Sequence, residues 1–365
     1  MRVWAGGEVI TGHAYPWDVL GDPSFAGRAI AAGVSAVALA AAYHSTRAAT
    51  PLHPDHQLVH ARYAALYRPV RQQVWASRRL RPLGPEWMST QDSFAEAAET
   101  LRAAGLRVSA WVVLTHNTRL GTEFPDLAVV NCFGEPYPYA LCPSSAEVRE
   151  YAATLAREAA AGADAVSLEA CGQLGVTHLS HHEKTDGAFS PATERWLSVC
   201  CCPACRQAWA ARGLDPDEVT ATLRHAIRTR AEVPFAAELL ATRHAATDAL
   251  RAEVLAEVDV PVTLHAHPDP WATGAAPGLT PSTAGDVAAL LVPAWPTDPA
   301  TTDLIVRARR TSAPVEAYVT VLSPTEPAAL TDHWRRLRAA GATGAAVYHL
   351  GLAPSWRQPL FRGFG

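Results

Sequence analysis

Glu169 closes the apolar run AVSLE at residues 165–169, and a carboxyl group in that place can protonate a glycosidic oxygen or attack an anomeric carbon. A charged residue that ends an otherwise apolar parallel strand is seldom on the outside of a sheet, where helices cover it. Such chemistry takes a second carboxylate. Glu316, in PVEAYVTVL, is the first choice because it shares phase with Tyr318 and Thr320 on the expected inward face. The competing reading of Glu316 is a structural acid hydrogen-bonded inside the protein. Asp269 is the next candidate, and Glu183 and Glu123 stand behind it.

Two further groupings have the residue types of metal sites. Cys200, Cys202 and Cys205 give Cys-x-Cys-x-x-Cys, a spacing at which thiolates share one tetrahedral zinc ion when a fourth ligand arrives from elsewhere. Cys142 is the first choice for that ligand and Cys171 the second. A closed set of four thiolates braces loops and leaves no open position for catalysis. The plain alternative is a cluster of reduced structural cysteines. His265-Ala266-His267, followed by Asp269, suggests instead a metal-dependent amidohydrolase-like site.

Polar and aromatic residues gather after several apolar runs: Tyr43, His44 and Arg47; Trp111, His116 and Asn117; His265; Tyr318; Tyr348 and His349. His182 and Glu183 belong to the segment that follows Glu169. Sugars need directed hydrogen bonds for their hydroxyls and flat rings against their C–H faces, and this mixture supplies both. Any one of these histidines also has a bland reading as a capping residue. Their recurrence at the ends of several strands carries the argument.

The elements that must position these residues announce themselves by repetition. AAGVSAVAL (31–39), AAGLRVSAW (103–111), AAGADAVSL (160–168) and AAGATGAAV (339–347) each stop an alanine-rich helix at a glycine and start an apolar strand at once. Strands are expected at 2–5, 36–41, 108–114, 165–169, 262–265, 287–292, 315–320 and 345–348. Helices with apolar residues at three and four spacing are expected between them, at 92–104, 146–160, 299–310 and 327–340. Eight strand–helix units close a parallel (β/α)8 barrel of the TIM type, whereas five or six would make an open doubly wound sheet. Long insertions fall at 43–91 and 171–206, after strands two and four, on the rim where barrel enzymes build their sites. A helical stretch at 214–258 contains Pro234, which should break or kink it. No linker composition interrupts the chain, so one barrel domain over 1–365 is expected.

Clan A glycoside hydrolases are barrels with one catalytic glutamate at the end of strand four and another on strand seven, and this sequence resembles them in three places. These are Glu169, the segment LCPSSAEVREY at 141–151, and the CCCPAC run at 200–205. The cysteine spacing looks like the zinc-bearing loop of some β-galactosidases of that clan. One departure is plain: members usually carry Asn before the strand-four Glu, where this chain has Leu168.

Bulk properties narrow the function classes. Among 365 residues, 31 Lys and Arg stand against 35 Asp and Glu, and the net charge of -4 offers no basic face for nucleic acid or anionic lipid. A small-molecule or oligosaccharide substrate suits it better. Hydrophobic residues make up 49% of the chain, enough for a large core. Seven cysteines, four of them within six residues, fit reduced thiols or a metal better than a disulfide framework. No glycine-rich phosphate loop or nucleophile elbow occurs, so no nucleotide cofactor is expected and catalysis should need none. The first residues show neither a secretory leader nor an apolar span, which points to a cytoplasmic location. The expectation is a glycosidase-like barrel with Glu169 as acid or base; a non-catalytic carbohydrate-binding barrel is the remaining alternative.

Overall fold

The computed structural model describes residues 9–177, 184–185, 187–283 and 285–364. Eight parallel strands form a closed ring: β1 (Ile10–Ala14), β2 (Ala36–Tyr43), β3 (Arg107–Val113), β4 (Ala165–Glu169), β5 (Val262–His265), β6 (Ala289–Pro293), β7 (Val315–Thr320) and β8 (Gly344–Tyr348). Closure is visible in the register, where Thr11 of β1 pairs with Ala36 of β2 on one side and Ala346 of β8 on the other. The architecture is a (β/α)8 barrel. All four repeated glycines have left-handed backbone, with φ of 83° at Gly33 and 104° at Gly341, as a helix end that turns straight into a strand requires.

Helices α1 (Phe25–Ala31), α2 (Ser93–Ala103), α3 (Ala146–Ala160), α4 (Ala236–Ala256), α5 (Ala300–Ala308) and α6 (Pro327–Ala339) surround the ring. Asp92 caps α2 by accepting a hydrogen bond from the Ala95 amide. The helical stretch around Pro234 is indeed broken: one helix covers Pro216–Thr229, Arg230 turns left-handed with φ of 62°, and α4 begins at Ala236.

Three expectations are corrected. The first barrel strand is Ile10–Ala14, not 2–5, which lies outside the described residues. Its central Gly12 lowers strand propensity, and the reason for a glycine is steric: a Cβ there would stand 2.5 Å from Leu350 Cδ1. The sixth strand begins two residues later than expected, at Ala289. Between β5 and β6 the described residues form no helix; that stretch is irregular and is fastened to α4 by arginines. Arg243 donates to the carbonyls of Trp271 and Ala272, and Arg251 bonds the Asp286 carboxylate at 2.6 Å and Ser282 at 3.0 Å. Side-chain donors thereby satisfy backbone and acid groups that a helix would have covered.

The insertion after β2 holds a hairpin, Thr46–Ala49 with Leu58–Ala61, and a short strand, Ala65–Leu66, antiparallel to β2. After β3 come a short helix, Thr118–Glu123, and a hairpin of Ala128–Val130 with Pro136–Leu141. After β4, helices at Pro191–Leu197 and Pro203–Ala210 follow. No helix among the described residues is long and apolar enough to cross a membrane.

Candidate active site and candidate metal centre

Because side chains alternate along a strand, one set from each strand points into the barrel. At mid-height this set is large and aromatic. His13, Trp111, His265 and Tyr318 come together, with ring centroids 4.7 Å apart for His13 and Trp111, 4.8 Å for His13 and Tyr318, and 5.3 Å for His265 and Tyr318. Beneath this layer, towards the N-terminal ends of the strands, lies a cavity that His13 borders; above it, at the C-terminal ends, Tyr15 stacks over Trp111.

Glu169 ends β4 on the C-terminal side of this layer and is only 6% exposed. Its carboxylate accepts a hydrogen bond of 2.8 Å from Trp111 Nε1. Burial raises its pKa to about 7, and the Trp111 bond pulls the other way by stabilising the charged form. Tyr43, Tyr318 and Tyr348 all lie within electrostatic reach of Glu169, and the hydroxyls of Tyr15 and Tyr348 are 3.4 Å apart. Burial keeps these phenols neutral by raising their pKa values. The result is a buried carboxyl whose burial favours the protonated form, among neutral phenols, an environment in which a carboxyl can act as general acid or base. At the mouth Trp295, 39% exposed, lies 5.0 Å from Tyr348 and 5.6 Å from Tyr318 by ring centroid.

His349 is fully buried beside this group; its ring centroid is 4.3 Å from that of Tyr15, and its Nδ1 accepts from the Gly351 amide at 3.2 Å. Burial lowers its pKa well below the usual histidine value. His44 stacks between Tyr43 and His116, at centroid distances of 4.2 and 4.4 Å, so the ends of β2 and β3 share one aromatic ledge. His265 bonds Ser167 Oγ at 3.0 Å and faces the barrel axis.

Other expected site residues are occupied elsewhere. Asn117 caps the helix Thr118–Glu123 by accepting from the Leu120 amide, and it is buried against Tyr151. Arg47 is exposed on the hairpin after β2. Glu123 pairs with Arg119 at 2.7 Å. Asp269 accepts from the Trp271 amide and the His267 ring accepts from the Asp269 amide, so both hold a turn. His265, His267 and Asp269 do not converge; among the described residues the one group of three or more potential ligands that does is made of cysteines. Glu316, unlike Glu169, borders the cavity beneath the aromatic layer. The two glutamates are therefore on opposite sides of the aromatic layer and do not face one another. His182 and Glu183 lie outside the described residues.

Sequence reasoning missed Asp18, Tyr15, His13 and Trp295. Asp18 is a buried carboxyl in the short helix Pro16–Val19 after β1, bonded by the Tyr15 amide at 2.8 Å and 3.8 Å from His349 Nδ1. Burial raises its pKa to about 8, and Tyr348 feels the charge of both Asp18 and Glu169. The signal was present in GHAYPWD at 12–18 and would have been read had β1 been placed there.

The cysteine expectation can be tested on geometry. Sγ atoms of Cys142, Cys200, Cys202 and Cys205 all lie within 4.8 Å of one another, with 3.6 Å between Cys142 and Cys205 and 3.7 Å between Cys142 and Cys202. A tetrahedron with metal–sulfur bonds of about 2.3 Å has edges of about 3.8 Å. All four thiols are free and buried. Hydrogen bonds from its three neighbours pull the Cys202 thiol pKa down. The donor set fits zinc. Cys171, the second choice for the fourth ligand, sits apart in a separate buried environment within reach of Arg251 and Asp286.

No protein-family model and no curated protein matches the sequence. Solved structures share the fold. Alpha-L-fucosidase isoenzyme 2 from Paenibacillus thiaminolyticus superposes with a TM-score of 0.58 at 13% identity, over 98% of this chain and 48% of that one. The catalytic domain of beta-amylase from Paenibacillus polymyxa gives 0.57 at 10% identity, over 98% and 97% of the two chains. A beta-galactosidase from G. stearothermophilus gives 0.51 at 10% identity, over 95% and 52%. The chain thus spans about half the length of the fucosidase and the galactosidase, and nearly all of the amylase domain. These are glycoside-hydrolase barrels, and the likeness is one of fold.

Proposed function

We propose that this barrel hydrolyses a glycosidic bond, with Glu169 as the proton donor to the leaving oxygen. The observation that carries the reading is a buried carboxyl at the C-terminal end of β4, hydrogen-bonded by Trp111 Nε1 and surrounded by neutral tyrosines. A protonated carboxyl donates to the glycosidic oxygen as the C–O bond breaks, and water supplies the new C–O bond at the anomeric carbon. Tyr43, Tyr348 and His44 would hold sugar hydroxyls, and Trp295 offers a flat face for C–H stacking. Beyond burial, Glu169 and, more weakly, Asp18 raise the pKa of Tyr348 and so help keep its hydroxyl protonated. The cysteine cluster would hold a structural zinc ion that ties the loop after β3 to the loop after β4; when bound, the ion supplies rigidity.

One observation favours a second reading, a carbohydrate-binding barrel without turnover: among the described residues no second carboxylate faces Glu169 across an open site. A panel of α-fucosides, β-galactosides, glucosides and N-acetylhexosaminides with alkyl leaving groups separates the two. Hydrolysis of one class, lowered 100-fold or more in Glu169→Gln and unchanged by chelation, supports the enzyme. Saturable sugar binding with no hydrolysis supports the second reading, and loss of hydrolysis on chelation returns attention to a metal-dependent hydrolase.

A further inference from the structure

Beneath the aromatic layer lies a cavity of about 270 Å³, reached from the N-terminal ends of the strands and bordered by residues of all eight. Such a space usually disappears under layers of branched side chains. Here the inward positions are small: Ala36, Ala165, Ala289 and Gly344 stand where Val, Ile or Leu would fill the ring. His13 forms part of its ceiling.

Among the described residues one formally charged side chain, Glu316, borders this cavity. It stands beside Gly344 on the next strand, where an added Cβ would be 3.6 Å from Glu316 Cγ. No described residue hydrogen-bonds its carboxyl, and burial alone raises its pKa, to about 7. Thr11, Ser109 and Thr263, which carry hydroxyls, also line the space. Glu316 and these hydroxyl-bearing residues are half-buried and face the cavity rather than being sealed from it, and a carboxylate in so confined a space favours a small guest that supplies donors and charge. Water can do so in part, since the volume exceeds that of several molecules.

We infer that the lower cavity is a second binding site, for a small primary aliphatic ammonium ion whose charged head pairs with Glu316 and whose alkyl chain lies against Ala36, Ala165 and Leu291. An ammonium group gives three donors, enough for the carboxylate and a neighbouring hydroxyl, and the apolar wall accounts for a short chain. The site lies on the opposite side of the aromatic layer from Glu169 and is independent of what the Glu169 site does.

Isothermal titration at pH 8 with n-butylammonium chloride, and with n-butanol as the uncharged match, tests the inference. Expected is saturable binding of one ammonium ion per chain, at least tenfold tighter than n-butanol, weakened tenfold or more in Glu316→Gln and lost in Ala36→Leu. Absence of saturable binding overturns it. Equal affinity for the alcohol, or an affinity untouched by Glu316→Gln, also overturns it, because either outcome reduces the space to an apolar void. The comparison of amine with alcohol uses the unaltered protein and stands even where a variant fails to fold.

Discussion

Replacing Glu169 with Gln should stabilise the protein at alkaline pH while removing its activity. The carboxyl has a pKa of about 7 in the fold against 4.5 when exposed. Between those values the folded state holds a proton that the unfolded state has released, so the folded state becomes less stable as pH rises. The full penalty above pH 7 is 2.5 units, or roughly 3 kcal/mol at about 1.4 kcal/mol per unit. From pH 5.5 to pH 8 the penalty grows by about 2 kcal/mol. Gln keeps the shape and can still accept from Trp111 Nε1 but carries no charge. Glu316 and Asp18, also raised to about 7 and about 8, respectively, are present in both proteins and cancel in the difference. Urea unfolding at the two pH values should show the variant gaining about 2 kcal/mol on the wild type between pH 5.5 and 8. A constant difference across that range would mean that Glu169 is ionised throughout, and its role as proton donor would be refuted.

In Trp111→Phe, loss of the indole donor should raise the Glu169 pKa and move the alkaline limb of the activity profile up by about one pH unit, measured from kcat/KM against pH. Cys202→Ser should abolish binding of about one zinc per chain, measured by metal analysis after gel filtration, and should lower the melting temperature of the zinc-loaded protein to that of the chelated one. Arg251→Met, by leaving Asp286 and Asp248 without their buried partner, should cost about 2 kcal/mol in urea unfolding, a figure reduced because both acids are about one-third exposed.

The barrel was legible because its grammar is local. A helix that must end in a left-handed residue and pass at once into a strand leaves Ala-Ala-Gly followed by alternating apolar residues, and four such junctions set the period. Cys142 could be chosen as the fourth thiol because a hairpin after β3 and a helix after β4 rise from neighbouring strands. Elements without that grammar were misread. β1 hides a glycine required by a contact with Leu350, nearly the whole chain away, and with it went Tyr15 and Asp18. Glu316 shares phase with Tyr318 but falls early in its strand, and a two-residue step along β7 separates Tyr318 in the aromatic layer from Glu316 beneath it. Asn117 looked like a sugar ligand until its partner Leu120 identified it as a helix cap.

A crystal structure of the Glu169→Gln protein soaked with the sugar it binds tests the account most directly. The account places the sugar above the aromatic layer, with a glycosidic or hydroxyl oxygen within hydrogen-bond distance of residue 169 and a ring face against Trp295. A sugar bound elsewhere on the protein, away from residue 169 and Trp295, would contradict Glu169 as the proton donor.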